Sequence, residues 1–330
     1  MSQVLGLDLG YGFVKVTDGE RGYVFPSVVG EGHTKPIFRA DSQQPSALNH
    51  LRVGLGDRVF FVGKAAIRHS RLPFRDLSPT RAERGDFEVL LLAGLSLFCG
   101  GTANRLQVVT GVPPGQMHLA PVLSGTLRQQ RRLTLYDRDQ PREVEIEVER
   151  IEIVPQPLGT FWSRALDPWG QPVEGKWEGR IGVLDVGFRT TDLAAVEDGE
   201  FIPEKSRTIA VGLAAAYAEI ANHLLTRYGL ERENHALDEA VITGRIRVAG
   251  REVDITDIRN QVFKELAAKV LVELHSTWRV LEFDRLLVSG GGGQALSNYL
   301  LPHLSHAELV PDPVTANCKG YLAWARRLWK

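Results

Sequence analysis

Cysteine is almost absent: the 330 residues contain two, Cys99 and Cys318. They lie far apart and neither belongs to a CxxC pair, which argues against a disulfide framework or a cysteine-based zinc site and suits a reducing cytosol. A surplus of charge is lacking as well. The formal net charge is −1, from 39 Lys and Arg against 40 Asp and Glu, whereas a dedicated nucleic-acid surface needs excess basic residues to displace counterions. No apolar run is long enough to cross a bilayer, and the longest, "VLLLAGLSLFCGG" from Val89, has the length of a buried helix. An aspartate and glycines interrupt the first apolar run, so no secretory leader is read and a cytoplasmic location is expected. The nine histidines show no HExxH or other paired ligand spacing, and His50, His69 and His118 fall in polar, loop-like contexts.

What is present is an ordinary globular composition, 43% apolar and 24% charged, at a length that favours two domains. Three β-type runs open the chain, "VLGLDLG", "FVKVTDG" and "RGYVFPSVVG". Glycine turns separate them at hairpin distance, which predicts an antiparallel meander. A dinucleotide-binding glycine motif is excluded on context, because its glycines must open a helix and these lead into a second strand. Residues 31 to about 85 are richer in Pro, Gly, Ser and charge and carry one strand pair, "LRVGLGDRVFFVG", about Gly56-Asp57; a small inserted subdomain is expected. A helix from Asp86 to Cys99 follows, then the buried strand "RLQVVTGVPPG". A hairpin plus a further strand is predicted over "RRLTLYDRDQPREVEIEVERIEIVPQ", and a helix at "PLGTFWSRAL".

From Ile181 the opening pattern returns as "IGVLDVGFRTTDLAAVEDGEFIPEK". Asp8, Gly10 and Tyr11 have counterparts in Asp185, Gly187 and Phe188, and two matching hairpins half a chain apart indicate duplicated domains facing one cleft. A long helix closed by Gly229 comes next. The span 231–277 reads as helix-rich, with Ile258, Val262, Leu266, Val270 and Leu274 on one face. "DRLLVSGGGGQALSNYL" predicts strand, glycine loop and helix, and the chain ends with a short strand, a turn and a helix. The basic run Arg128 to Leu133 reads as a solvated face or filament contact. The tail with Trp324, Arg326, Arg327 and Trp329 reads as a helix packed on its own domain.

Glycine hairpins expose successive backbone N–H groups suited to phosphate oxygens. Lys15 lies where it adds positive charge, and Asp8, at a strand end, suits hydrated Mg²⁺, which keeps its waters and takes few carboxylates. Alone, Asp-x-Gly is also a common turn. The second hairpin repeats the arrangement in Asp185, Gly187, Thr190, Thr191 and Asp192, with hydroxyls in place of the lysine. "SGGGG", Ser289 to Gly293, adds a third close backbone approach and a helix N-terminus.

In this order the motifs resemble the actin-type ATPase superfamily, and within it the bacterial and archaeal actin-like proteins of the ParM type. "DLGYGFVK" resembles the first phosphate motif, "PQPLGTFW" the first connecting segment, "LDVGFRTTD" the second phosphate motif, "VSGGGG" the adenosine motif and "DPVTANCKGYL" the second connecting segment. "FFVGKAAIRHS" resembles a stretch of the smaller subdomain in ParM-type proteins. The resemblance implies an α/β, actin-like (ribonuclease-H-like, duplicated) fold with a nucleotide cleft between two domains. Domain I would comprise 1–158 plus 311–330, and domain II 159–310, with small subdomains at about 31–85 and 231–277. It implies ATP or GTP with Mg²⁺ held through water by Asp8 and Asp185, and hydrolysis with Asp8, Asp185 and the water-orienting Gln156 as catalytic residues. Nucleotide contacts would come from Gly10, Tyr11, Gly12, Lys15, Gly187, Thr190, Thr191, Gly212, Gly290, Gly291 and Gly292. It further implies a homopolymer filament in plasmid segregation or a cytoskeleton, a DNA-bound adaptor as partner, and no direct contact with nucleic acid or membrane. Phe188 and Arg189 depart from the small residues usual in the second turn; Arg189 would touch a γ-phosphate or face solvent. A small-molecule kinase of the same superfamily, and a nucleotide-binding scaffold with little hydrolysis, are the alternatives.

Overall fold

The computed structural model describes residues 2–35, 37, 47–137 and 140–330. Parts of the expected small subdomain, 36 and 38–46, and the tip of the hairpin at 138–139 lie outside the described residues. The first half of the chain runs β1 (Gln3–Leu9), β2 (Phe13–Thr17), β3 (Gly22–Pro26), β4 (Val29–Glu31), β5 (Arg52–Leu55), β6 (Arg58–Val62), α1 (Lys64–His69), α2 (Gly85–Ser96), β7 (Ala103–Val112), α3 (Ala120–Arg128), β8 (Arg131–Asp137), β9 (Gln140–Pro155) and α4 (Pro157–Ala165). Its strands form one nine-stranded sheet in the order β3-β2-β1-β7-β9-β8-β5-β6-β4. The second half runs β10 (Arg180–Val186), β11 (Thr191–Glu197), β12 (Glu200–Ile209), α5 (Leu213–Tyr228), α6 (Asp238–Thr243), β13 (Arg245–Val248), β14 (Arg251–Asp254), α7 (Thr256–Thr277), β15 (Arg285–Ser289), α8 (Gly290–Leu300), β16 (Ala307–Leu309) and α9 (Ala316–Leu328). A five-stranded sheet, β12-β11-β10-β15-β16, organises it, and β13 and β14 pair with each other alone.

The duplication is visible in the topology. Each sheet has a buried inner strand, β1 or β10, paired antiparallel to the next strand on one side and parallel to a later one, β7 or β15, on the other. A strand buried on both faces must be apolar almost throughout, so the lone aspartate near the end of each is conspicuous. The expected meanders form as β1–β3 and β10–β12, and the turn into β12 uses positive φ at Asp198 and Gly199, the twist-matched geometry of a tight hairpin.

Three cores result. One lies against the first sheet, where α2 buries Phe87 and the run from Val89 to Ser96. One belongs to the second sheet and carries Val262, Leu266, Val270 and Leu274 of α7, with Ile258 half-buried. The third joins the halves through Val109, Phe161, Trp162, Val183, Leu287 and Tyr321. There α9 lies against β1 and α4 at backbone contact: a Cβ at Gly6 would overlap Cys318 O, and one at Gly320 would overlap Gly159 O. The tail packs on the protein as expected, with Trp324 stacked on Trp162 at 4.4 Å and Arg326 donating to Pro168 O and Asp18 O.

Four expectations change. The predicted hairpin plus further strand is β8 and a single long β9, because a bulge at Glu149, where Leu106 and Gln107 of β7 pair with Val148 and Arg150, absorbs the change of phase and no glycine or proline interrupts 142–154. The helix-rich span 231–277 contains the β13–β14 hairpin, turned by Ala249 and Gly250 at positive φ. No loop separates β15 from α8, since the helix starts at Gly290 itself. His50, His69 and His118 are in short helical turns rather than loops. The pair β5–β6, about Gly56 at φ 56°, continues the first sheet through β8.

Candidate functional site

The last residues of β1 and β10 place one carboxylate each at the foot of a turn. In the first hairpin Asp8 is in register with Lys15 across β1 and β2. Lys15 Nζ lies 2.9 Å from Asp8 Oδ2, and Gln156 Nε2, at the junction of β9 and α4, donates to Asp8 Oδ1 at 3.1 Å. A Cβ at Gly10 would come within 2.8 Å of Lys15 Nζ, so glycine there leaves room for the ammonium. Burial alone would lower the Lys15 pKa, but the charge and hydrogen bond of Asp8, with a further contribution from Asp185, hold it above the usual lysine value.

In the second hairpin Asp185 is in register with Asp192. The residue at the place of Lys15 is therefore a carboxylate rather than a hydroxyl, a correction to the expected arrangement. Both are buried, at 3% exposure each. Burial pushes Asp185 up to about 6, opposed by the hydrogen bond from Asn317 and reinforced by the charge of Asp8. Burial pushes Asp192 up to about 7, against hydrogen bonds from Thr208 and Thr190, with Asp185 adding to the rise. Asn317 Nδ2 of α9 donates to Asp185 Oδ2 at 2.7 Å, and Asn317 Oδ1 accepts from Thr160 Oγ1 of α4 at 2.8 Å. Elements that join the two halves thus orient the second carboxylate.

These groups meet in one cavity between the sheets, of about 690 Å³ with its open mouth included. Of the residues expected at the site, Asp8, Gly10, Tyr11, Gly12, Lys15 and Gln156 line it from the first half, and Asp185, Gly187, Thr190, Gly290, Gly291 and Gly292 from the second. Thr191 and Gly212 are not among its lining. Thr191 Oγ1 donates to Val211 O at 2.7 Å, and Gly212 lies behind the second turn, where a Cβ would meet Phe188 O at 2.6 Å. The Tyr11 ring packs into the core of the second half, with Arg81 3.8 Å and Arg189 5.3 Å from its centroid. Arg189, half-buried, makes a cation–π contact with that ring. Phe188 closes on Gly12, where a Cβ would lie 2.9 Å from the Phe188 Cβ.

Asn317 and Arg81 went unnoticed in the sequence, and Asp192 was quoted there without a role. Only Asp192 carried a usable signal, its spacing of seven from Asp185 matching that of Lys15 from Asp8.

Two family models match the chain in succession: the N-terminal domain of actin-like proteins over residues 6–159, and the C-terminal domain of archaeal MreB-like actin homologues over residues 183–301. The chain belongs to the actin-like proteins. No curated protein matches it by sequence. Among solved structures, this actin-like protein is similar to a ParM from Clostridium botulinum determined as a 15-stranded filament, with 24% identity, 99% of each chain covered and a TM-score of 0.82. It is similar to a non-polymerisable quadruple mutant of pCBH ParM, with 23% identity, 99% of each chain covered and a TM-score of 0.79. An archaeal actin homologue in complex with ADP matches at 20% identity, over 98% of this chain and 99% of that one, with a TM-score of 0.79. The fold is the two-domain actin-like fold of the ParM type.

The donor set of this actin-like protein fits a phosphate chain with a hydrated magnesium ion. Asp8 and Asp185 stand near the ends of the inner strands of the two sheets and line the same cavity, and among the described residues no three carboxylate, imidazole or thiol groups converge as direct metal ligands. An ion placed there would keep waters between itself and the carboxylates.

Proposed function

We propose that this protein is a nucleotide-dependent, filament-forming actin-like protein that binds and hydrolyses ATP or GTP, acting in DNA segregation or as a cytoskeletal element. The observation that carries the reading is the convergence of two glycine turns, Asp8, Lys15, Asp185 and Gln156 on one cavity lined from both halves. The ParM filament and the ADP complex of the archaeal homologue support it by likeness of fold. The chain divides into 1–158 with 311–330 and 159–310 on this reading. Its partners are further copies of itself and a DNA-bound adaptor, and its place is the cytoplasm. Among the described residues no helix is long and apolar enough to cross a membrane.

The site residues divide the work. Backbone N–H groups of the turn residues after Gly10 and after Gly187 bind phosphate oxygens, and Gly290–Gly292, opening α8, approach the nucleoside side. Asp8 and Asp185 hold the waters of a magnesium ion, which when bound supplies charge neutralisation to the phosphates. Gln156 has no basic atom, so it orients the attacking water by its amide and cannot take the proton. Asp185 and Asp192, pushed up by burial to about 6 and about 7, are the nearby carboxyl groups able to hold one. Phosphoryl transfer relies mainly on positioning and electrostatics, so hydrolysis on this pattern is slow.

Phosphate release from Mg-ATP and Mg-GTP, by wild type and Asp185→Ala, tests the reading. Release by the wild type and its loss in the variant are expected. Turnover that begins only when a sugar or carboxylate acceptor is added would replace this reading with a kinase.

A further inference from the structure

The two turns hold their carbonyl groups by different means. Behind the second turn stands α5: the N–H of Leu213 donates to Gly187 O at 3.2 Å and that of Ala214 to Phe188 O at 2.6 Å. Behind the first turn side chains take this part. Arg81 donates from Nη1 to Gly10 O at 3.1 Å and from Nη2 to Leu9 O. Ser27 donates from Oγ to Gly10 O at 2.7 Å and from its N–H to Gly12 O at 2.9 Å. In a trans peptide the C=O and the following N–H point in opposite directions, and no cis peptide occurs among the described residues. Drawing the Leu9 and Gly10 carbonyls toward Arg81 therefore turns the N–H groups of Gly10 and Tyr11 the other way. Gly10 N–H faces Phe13 O at the end of the β1–β2 ladder, as Gly187 N–H closes onto Thr190 O at 2.8 Å in the second turn, while Tyr11 N–H donates no hydrogen bond among the described residues.

The surroundings of Arg81 are built for this contact. Its side chain rises from a short helical turn, Arg81–Glu83, and is buried between the first turn and the rings of Tyr11 and Phe87. Burial lowers the guanidinium to about 10, opposed by Tyr11, Asp8 and Asp76, and it stays charged at neutral pH. We propose that Arg81 is the positioning residue of the first turn: it fixes the Leu9 and Gly10 carbonyls so that the N–H of Tyr11, across the peptide from the Gly10 carbonyl, is presented to the oxygens of a phosphate. The side chain acts through the turn and does not touch the ligand. This inference rests on the nucleotide reading above and adds to it a residue from outside the glycine motifs.

Titration of the full chain with ADP, GDP, adenosine and guanosine in the presence of Mg²⁺, for wild type, Arg81→Met and Arg81→Lys, tests it. For the purine that the wild type takes, Arg81→Met weakens the diphosphate about tenfold or more, tenfold being about 1.4 kcal/mol, and the nucleoside by less than about twofold. Arg81→Lys, which keeps a charged donor without the fork, falls between the two and remains informative if Arg81→Met does not fold. Equal weakening of diphosphate and nucleoside, or unchanged diphosphate affinity in both variants, overturns the proposal while leaving the nucleotide reading standing. A wild type that binds none of the four overturns the nucleotide reading and the inference with it.

Discussion

Asp192 stands in the second turn where Lys15 stands in the first, and this exchange sets the charge of the cavity. Burial raises its pKa to about 7, so between the ordinary aspartate value and neutrality the folded chain binds a proton more readily than the unfolded one. The associated stability is fully present below about pH 4 and is lost as the pH rises through about 7. In protein freed of metal and nucleotide, Asp192→Asn is therefore expected to raise the melting temperature above neutral pH, with the gain shrinking as the solution is acidified. A variant that melts lower than the wild type above neutrality would contradict this. Gly290 makes a second residue-scale case. Its φ is 82°, and a Cβ would overlap Val186 O and Asp185 Oδ1. Gly290→Ala is expected to cost about 2 kcal/mol or more in denaturant titration, and a neutral result would mean that β15 and α8 can separate. Asp8 and Asp185 were legible because the same strand-end spacing occurs twice. Arg81 and Asn317 were not, because their partners lie 71 and 132 residues away and neither residue belongs to a local period.

Among the elements, the segment 70–84 crosses from one half of the molecule to the other. Arg75 meets Asp238 of α6 with Nη2 2.6 Å from Oδ2 and Nη1 3.2 Å from Oδ1, its side chain fully buried. Removing one partner of a buried pair strands the other charge, at a cost of about 3 to 5 kcal/mol. Asp238→Ala is expected to destabilise by that order and the double variant with Arg75→Met by less than the sum. Additive effects in the double-mutant cycle would mean that the two side chains are not coupled. The contact of α4 with α9 is as constrained, since Gly320 meets the Gly159 carbonyl, and Gly320→Ala is expected to lower the melting temperature sharply without touching a site residue. The elements easiest to read from sequence were those with a single unbroken period, β1, β10 and α7. The β13–β14 hairpin was missed because its strands have four residues each, so the alternation of Ile246 and Val248 with Arg245 and Arg247 is too short to stand out between helices, and among the described residues it pairs with no other strand. The joining of two predicted strands into β9 depends on one extra residue, Glu149, which the pairing with β7 skips and which changes the phase of the alternation without a glycine or proline to mark it.

At the scale of the molecule, two sheets with the same hairpin meet at one cavity, and α4 and α9 tie the halves together on the side of the third core. Residues of both halves line the cavity, so a ligand held by the two turns stabilises one relative placement of the halves. In the assembly proposed above, a ligand that binds the assembling placement better would shift the equilibrium by the difference in affinity. The most direct measurement is high-speed sedimentation with Mg-ATP, with Mg-GTP and without nucleotide, for the wild type and Asp185→Ala. Pelleting of the wild type that requires one of the triphosphates, and its loss or altered nucleotide dependence in Asp185→Ala, is the predicted result. A wild type that stays in the supernatant under all three conditions, or pellets equally in all of them, would contradict nucleotide-controlled self-assembly.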